Sequence, residues 1–443
     1  MVCRSRSLDG RECRSEVCMI VKNQLWNDAR VKKEASTLKR MGLSVTIIAY
    51  PEEGRPESEV WNNVQVLRVP RSGALKARLR KALDSCEEDD RGLLRRMVAA
   101  LRHNPMKKFL GLLFHSLLYQ ARLLRHALAT GAEVFHSHDL DTLPVCAAAA
   151  FLTSGKLVYD SHELWLESRR HLLETSRPFR VLEKWTEELI APLADAVIAV
   201  TPGRAGIMRE MYPDMAGPDL VPNYPPMIPR MKKSGEVRRS LGAWEEPCFV
   251  FLYQGILGLH RGLEELVDAA AMLRGLPVRI ALVGHDRSRG VIPEYAAERM
   301  TADVLTFHPP VPSEDLPGIT ASADCGLLLF QGSCLNHTYS LPNKLFEYMM
   351  AGLPIVACDL PEISAVVRRH RCGVLVDAGD PASIADGMRR VAADPAGAAE
   401  MGMNGYLAAR DLYTWHNSAL TLHGIYQRLL GRRLPLPGPG GAE

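Results

Sequence analysis

The sequence predicts two parallel α/β domains of similar size that face each other across a cleft. Three observations carry this reading. Short buried strands alternate with helices along almost the whole chain, a proline-dense stretch interrupts the alternation near the middle, and the same rhythm then restarts. The chain has 443 residues, 47% hydrophobic and 24% charged, enough for two cores and incompatible with wholesale disorder. Its net charge of 54 − 51 = +3 excludes a dedicated nucleic-acid binder, so no nucleic-acid partner is expected. No 18-residue uncharged apolar run exists that would span a membrane.

Residues 1–16 (MVCRSRSLDGRECRSE) are polar and charged and read as a flexible tail. No apolar segment follows that would make them a signal peptide, so the cytoplasm is the expected address. Residues 17–22 (VCMIVK) form a buried strand, 29–41 a helix stopped by Gly42, and 44–50 (SVTIIAY) a second strand. Strand, helix, strand at this spacing is a parallel unit. Strands at 64–69, 133–136, 157–159 and 196–200 extend it to six, making residues 17–220 the first doubly wound domain.

Residues 221–233 form the linker, with prolines at 222, 225, 226 and 229. The second domain, 234–417, has strands at 249–253, 279–283, 304–307, 325–329, 355–357 and 373–375. Its helices fall at 262–273, 343–350 and 384–393. A C-terminal helix at 418–431 precedes a Pro/Gly tail, 432–443, read as disordered. The ten cysteines show no CxxC pair and several lie in apolar runs, as reduced structural thiols do.

The window with the most chemistry is 339–359, YSLPNKLFEYMMAGLPIVACD. The Pro342-Asn343 turn opens a helix whose free N–H groups and positive dipole end suit a phosphate. Lys344 in the first turn is unfavourable to that dipole, and a bound anion would remove the conflict. Glu347, one turn on, is placed to accept hydrogen bonds from a pair of ribose hydroxyls. The plain alternative is a solvated amphipathic helix with both residues exposed. In the first half, His138 follows a strand at its carboxyl end, where open α/β sheets bind ligands. His162 and Glu163 end another strand and either line the cleft or support it from behind. Asp28 reads as a helix cap or as a residue facing the cleft.

PNKLFEYMMAGLPIV resembles the donor-binding segment of the retaining glycosyltransferases of GT-B architecture, the large family 4 group. YQG at 253–255 followed by HRG at 260–262, ALVG at 281–284 and ADCGLLLF at 323–330 are similar to further segments of that family. HSHDLDTL at 136–143, YDSHELW at 159–165, ADAVIAVTP at 195–202 and VPNYPP at 221–226 continue the family order over about 17–430. The resemblance implies two Rossmann-like domains, the N-terminal one binding the acceptor and the C-terminal one a nucleotide sugar. It implies Glu347 at the ribose and Gly255, Gly284, Ser340, Leu341, Pro342 and Asn343 along the donor. Arg261 and Lys344 would stand at the diphosphate and His138 at the sugar, with Asp28, Asp139, His162 and Glu163 on the acceptor side. The implied reaction retains configuration by front-face attack and needs no metal and no cofactor.

The chain departs from the family pattern in places. The family's first glutamate, eight residues before Glu347, is Tyr339 here, and the SLPNK stretch matches members that lack it. Ile256 follows Gly255 where many relatives have an arginine, so Lys344 would substitute. The first strand–helix turn, residues 27–30, has no glycine. Asp139-Leu140-Asp141 matches the metal signature of a different glycosyltransferase fold, but it lies in the wrong domain for the donor. Residues 71–125 carry thirteen Lys/Arg and five Asp/Glu, net +8, with a broad apolar face over 109–128. That pattern fits a peripheral contact with an anionic membrane at its inner face. A glycan or lipid-linked acceptor for cell-surface polysaccharide is the expected second partner. A nucleotide-sugar 2-epimerase of the same fold and a degenerate sugar-nucleotide-binding scaffold are the alternatives.

Overall fold

The structure, a computed structural model, describes residues 15–26, 28–70, 105–168, 175–241, 248–258 and 261–438, with 105–115 as backbone alone. The first domain is built on an eight-stranded sheet. Its strands are β1 (Val17–Ile20), β2 (Val45–Ala49), β3 (Ser58–Trp61), β4 (Val64–Arg68), β5 (Val134–His138), β6 (Lys156–Ser161), β7 (Ala196–Ala199) and β8 (Asp219–Leu220). Their order is β3-β4-β2-β1-β5-β6-β7-β8. Every pairing is parallel except β3 with β4. β1 and β2 are buried at every position, as strands covered on both faces must be.

The second domain has six strands, β9 (Phe249–Gln254), β10 (Val278–Val283), β11 (Leu305–His308), β12 (Cys325–Leu328), β13 (Ile355–Cys358) and β14 (Gly373–Val376). They run in the order β11-β10-β9-β12-β13-β14, all parallel. Both sheets reverse direction of growth beside their first strand, which opens a crevice at the carboxyl ends. The expected two-domain architecture is present, and no disulfide joins the seven described cysteines.

Three features differ from the sequence expectation. β3 and the two-residue β8 were not foreseen: β3 pairs as an edge hairpin through Asn62-Asn63, whose φ values of 46° and 61° are those a two-residue hairpin turn needs. The C-terminal helix, observed as Trp415–Leu430, leaves its own domain and packs on the first one. Its Trp415, Ala419, Leu422, Ile425 and Tyr426 complete a core with Val31, Ala35 and Leu38 of the helix Ala29–Arg40. The tail after it is not disordered throughout. Leu434 is buried and its carbonyl lies 3.0 Å from His423 Nε2, and Arg432 pairs with Glu16.

This returning helix also holds the linker. Trp415 N donates to Pro225 O at 2.8 Å and Ser418 Oγ to Pro222 O at 2.7 Å. From the other side Lys33 Nζ donates to Tyr224 O at 2.6 Å. The crossing between domains is therefore clamped between two helices of the first domain. Most of the basic segment, 71–104, lies outside the described residues, as do 1–14 of the N-terminal tail; within the segment the helix Pro105–Ala129 packs on the helix Leu143–Thr153.

Trp415 is buried, donates from Nε1 to Thr37 Oγ1 at 2.9 Å and lies 4.6 Å below the Lys33 ammonium. Trp415→Ala should therefore cost about 3–5 kcal/mol in a denaturant titration, the range for truncating a buried tryptophan. A loss below about 1 kcal/mol would show that the returning helix is not part of the core.

Candidate functional site

A cleft of about 620 Å³ lies between the domains, walled by Asp28, Arg30, His162, Glu163 and Arg204 on one side and by Ser340, Leu341, Pro342, Asn343 and Phe346 on the other. On the second-domain side the helix Asn343–Ala351 begins directly after Pro342, with no side chain capping its N-terminus. Its first turn therefore presents unsatisfied N–H groups.

Lys344 is buried, not exposed as the plain amphipathic reading would have it. Its ammonium stands 3.7 Å from the Tyr253 ring centroid and 5.1 Å from that of Phe330. Arg261 lies 5.1 Å over the same Phe330 ring. Neither cation forms an ion pair among the described residues. Burial, with the Arg261 charge adding to it, brings Lys344 down to about 7. Two cations that repel each other beside a helix N-terminus make a place for an anion.

Glu347 lines a second hollow, of about 160 Å³, with Gln254 and Thr320. Gln254 Nε2 donates to Glu347 Oε2 at 2.5 Å, and its Oε1 accepts from Thr320 Oγ1 at 2.7 Å. This chain holds one carboxylate oxygen in place. Burial raises the Glu347 carboxyl above its ordinary value, against the Gln254 hydrogen bond and the Lys344 charge. Gly255 and Gly284 end adjacent strands, and a Cβ at Gly284 (φ 153°) would collide with the Gly255 carbonyl.

On the first-domain wall one expected residue stands behind the lining. His138, expected at the sugar, is fully buried and lies outside the cleft lining. His162 stands in front of it, with Nε2 3.0 Å from His138 Nδ1 and 3.0 Å from Asp160 Oδ2. His138 is the last residue of β5, and its ring stacks on His136 at 4.5 Å between centroids, with Nδ1 3.4 Å from Asp160 Oδ2. Asp28 caps its helix, accepting from Val31 N at 3.1 Å, and faces the cleft as well. Asp139, with φ 63°, turns towards His162: its Oδ1 accepts from His162 N at 3.0 Å, while Asp141 lies 4.0 Å from Lys22. The Asp139 carboxylate thus serves the His162 backbone, and that of Asp141 lies beside Lys22.

Behind His162 lies a buried charge cluster that no single motif announced. Arg30 donates to Asp160 twice, at 3.0 and 2.7 Å, and to the linker carbonyl of Val221 at 2.7 Å. Its guanidinium also lies 3.0 Å from Glu34. Burial opposes charge on His162, yet Asp139 and Asp160 together hold it up to about 10. Burial, then His136, pushes His138 down to about 3, and burial pushes Glu34 up to about 8. Ligand atoms of Glu34, His136, His138 and Asp160 lie within 4.8 Å of one another, a spacing that could enclose a cation. Arg30 supplies a counter-charge to both carboxylates, while both Glu34 oxygens and the Nε2 atoms of His136 and His138 keep no hydrogen-bond partner among the described residues.

The domains also touch along the cleft. Arg204 donates to His162 O at 2.6 Å and to Asn336 O at 3.0 Å, and Asn336 Oδ1 accepts from Leu164 N at 3.0 Å. Gly203 N donates to Glu362 Oε1 at 2.5 Å, and any side chain at Gly203 would strike the Tyr339 ring. Tyr339, at the position of the missing glutamate, is thus a packing residue of the interdomain seam. Arg30, Asp160, Arg204, Gln254 and Asn336 escaped the sequence reading. Only Arg30 carried a local signal, a glutamate four residues on.

Residues 28–224 match the family described as Glycosyl transferase 4-like domain, and 248–394 match Glycosyl transferases group 1. The chain belongs to this family of glycosyltransferases. It is 28% identical over 316 residues to a D-inositol 3-phosphate glycosyltransferase of Acidothermus cellulolyticus, a match covering 68% of each chain. In structure it resembles the sucrose-phosphate synthase of Thermosynechococcus elongatus, with TM-score 0.67 and 18% identity over 94% of this chain and 100% of that one. It also resembles Anabaena HepE in complex with UDP, with TM-score 0.66 and 14% identity over 94% and 99%. These likenesses establish the GT-B architecture for this glycosyltransferase.

Two outcomes test the site. In histidine-selective NMR, His162 of the glycosyltransferase should remain doubly protonated to about pH 8. Because its folded value is raised from 6.5, its pairing stabilises fully below 6.5 and is lost as pH climbs through about 10. Asp160→Asn should lower the His162 value, with Asp139 still holding part of the charge; an unchanged titration would mean Asp160 does not hold it. Separately, Gly284→Ala should cost more than about 2 kcal/mol of stability, since strain and collision act together. A denaturation midpoint equal to that of the parent chain would refute that close approach.

Proposed function

We propose that the protein transfers a sugar, with retention of configuration and without a metal, from a nucleoside-diphosphate sugar to a hydroxyl of a glycan or lipid-linked acceptor. The observation that carries this is the pair Lys344 and Arg261, two cations without carboxylate partners among the described residues, beside an uncapped helix N-terminus. Departure of a nucleoside diphosphate develops negative charge, and fixed cations in a low-dielectric site stabilise it. Glu347, oriented by Gln254 and Thr320, accepts hydrogen bonds from the ribose hydroxyls with its second oxygen. The acceptor enters from the wall of Asp28, His162 and Glu163. His138 acts through His162, fixing its ring. The leaving phosphate takes the acceptor proton on the same face as attack. The family and the relatives named above favour transfer over epimerisation; the UDP held by HepE makes uridine diphosphate sugars the first donors to test.

A mass-spectrometric screen of nucleotide sugars, with and without polyol, phosphopolyol and glycan acceptors, tests this directly. Sugar transferred only in the presence of an acceptor supports it, whereas donor isomerised without an acceptor identifies an epimerase. Arg261→Ala should lower turnover about 10²–10³-fold, and chelator should leave the wild type active. Metal-reversible loss of activity would overturn the metal-free mechanism. Glu347→Ala should weaken donor binding at least about 10-fold, since hydrogen bonds to a charged acceptor are worth roughly 1.5–3 kcal/mol. Calorimetry of nucleotide binding should also show proton uptake between about pH 7 and 8, because an anion raises the depressed Lys344 value. No uptake would place the diphosphate away from Lys344.

A further inference from the structure

The helix Arg177–Ile190 turns an apolar face to solvent. On its other side the buried Glu187 accepts from Tyr159 Oη and from Tyr212 Oη, each at 2.6 Å. Both tyrosines are buried, so these two bonds fix the rotation of the helix about its axis. Val181, Trp185 and Leu189 follow one another at four-residue spacing on the outward side, where Trp185 is 61% and Leu189 73% exposed. Leu193, 67% exposed, extends the face beyond the helix end. The helix Leu143–Thr153 packs alongside and leads into β6 as this one leads into the neighbouring parallel β7. Its last turn therefore brings Phe151, 86% exposed, and Leu152 to the same end of the face.

The patch is large enough to need a partner. At the roughly 150–250 Å² of an aromatic side chain, Trp185 and Phe151 alone leave about 200–350 Å² in water. The aliphatic side chains around them widen the patch past the roughly 300–600 Å² that monomers leave open.

The charges select the occupant. The helix carries Arg177, Arg180 and Lys184 against Glu183, Glu187 and Glu188, a neutral balance with nothing to draw it to a charged surface. Arg180, Lys184 and Glu188 form a stripe of their own beside the apolar one, again at four-residue spacing. Lys184 lies 3.5 Å from Glu188, whereas Arg180 pairs with no carboxylate among the described residues. The apolar stripe is centred on Trp185 and the charged stripe on Lys184, so one twofold axis across the helix serves both. Antiparallel pairing about that axis lays each charged stripe beside its own copy in reverse. Arg180 of either copy then faces Glu188 of the other, and the two Trp185 rings meet at the axis.

We infer that the outer face of the helix Arg177–Ile190 is the contact between two copies of this chain, packed antiparallel about Trp185. The contact is isologous, and the same patch serves both copies. A stable interface covers about 800 Å² per partner, a size that the apolar patch and its charged rim together supply. The contact also reaches the cleft. His162 and Glu163 stand on the cleft wall, and the turn Trp165–Glu167 that follows them packs against this helix. Pairing therefore braces that loop in each copy. None of this rests on the glycosyl-transfer reading.

The test is sedimentation equilibrium of the full chain over a range of concentrations. The wild type should form a dimer, and Trp185→Ser/Leu189→Ser should raise its dissociation constant at least about 100-fold, since each copy loses two buried apolar side chains. Arg180→Glu should weaken the dimer about 10-fold by setting two glutamates against each other. The reversed pair Arg180→Glu/Glu188→Arg should restore it, because the stripe then reads the same in the opposite sense. All these residues lie on the exposed side, so the thermal midpoints of the variants at concentrations where each is monomeric should match. A wild type that stays monomeric up to about 100 μM, above the micromolar range of a standard interface, overturns the proposal. So does a dimer that Trp185→Ser/Leu189→Ser leaves intact, or one that the reversed pair fails to restore. A monomer that co-sediments with phosphatidylcholine vesicles through Trp185 and Leu189 would give the face to a bilayer instead.

Discussion

The buried pair of Arg30 and Asp160 is the constraint on which the arrangement of the first domain depends. Asp160 sits on β6 and Arg30 on the helix Ala29–Arg40, and the guanidinium also reaches the linker carbonyl of Val221. One side chain thus ties a sheet, a helix and the crossing between domains. Breaking such a buried pair by removing one partner costs about 3–5 kcal/mol, because the survivor is left charged and unsolvated. Here the survivor would be surrounded by three histidines and Glu34, whose protonation states all respond to it. The cluster fixes where His162 stands and that it is charged, and His162 is the ring that the cleft wall presents.

The second wall is organised by a different principle. Lys344 and Arg261 are held near each other by aromatic rings, not by carboxylates, so their charge is not consumed within the fold. Keeping cations in a buried setting without ion pairs bears an energetic cost, which lowers the Lys344 value and which a bound anion would relieve. Between the walls, Arg204, Gly203 and Asn336 carry direct hydrogen bonds, and the chain crosses back through the helix Trp415–Leu430. The two domains therefore meet at a seam with polar contacts and not at an empty gap.

Much of this was legible from residue order. The alternation of apolar strands and helices, the proline-dense linker and the helix opening at Asn343 are all local patterns, and local patterns survive in sequence. Glu347, Lys344 and the glycines at 255 and 284 could be picked out because they stand in or beside such a pattern. The hairpin partner β3 was missed because two of its four residues are exposed and the other two only half-buried, and its turn is Asn-Asn, without the usual glycine. The family resemblance put His138 at the sugar, but only packing shows that its ring is buried behind His162.

What the sequence determined by itself is the set of elements, their order and the chemistry available at each strand end, because these follow from periodicity and turn residues within a few positions. What only the tertiary structure decided is which of those groups are buried together. Arg30 and Asp160 are 130 residues apart, Trp415 meets Thr37 across 378, and Glu187 finds Tyr159 and Tyr212 on either side of it. Burial multiplies the strength of an electrostatic contact and sets the cost of leaving one unmade. The charge of His162, the neutral state of His138 and the outward turn of Trp185 and Leu189 are therefore properties of packing, with no trace in any local stretch of the chain.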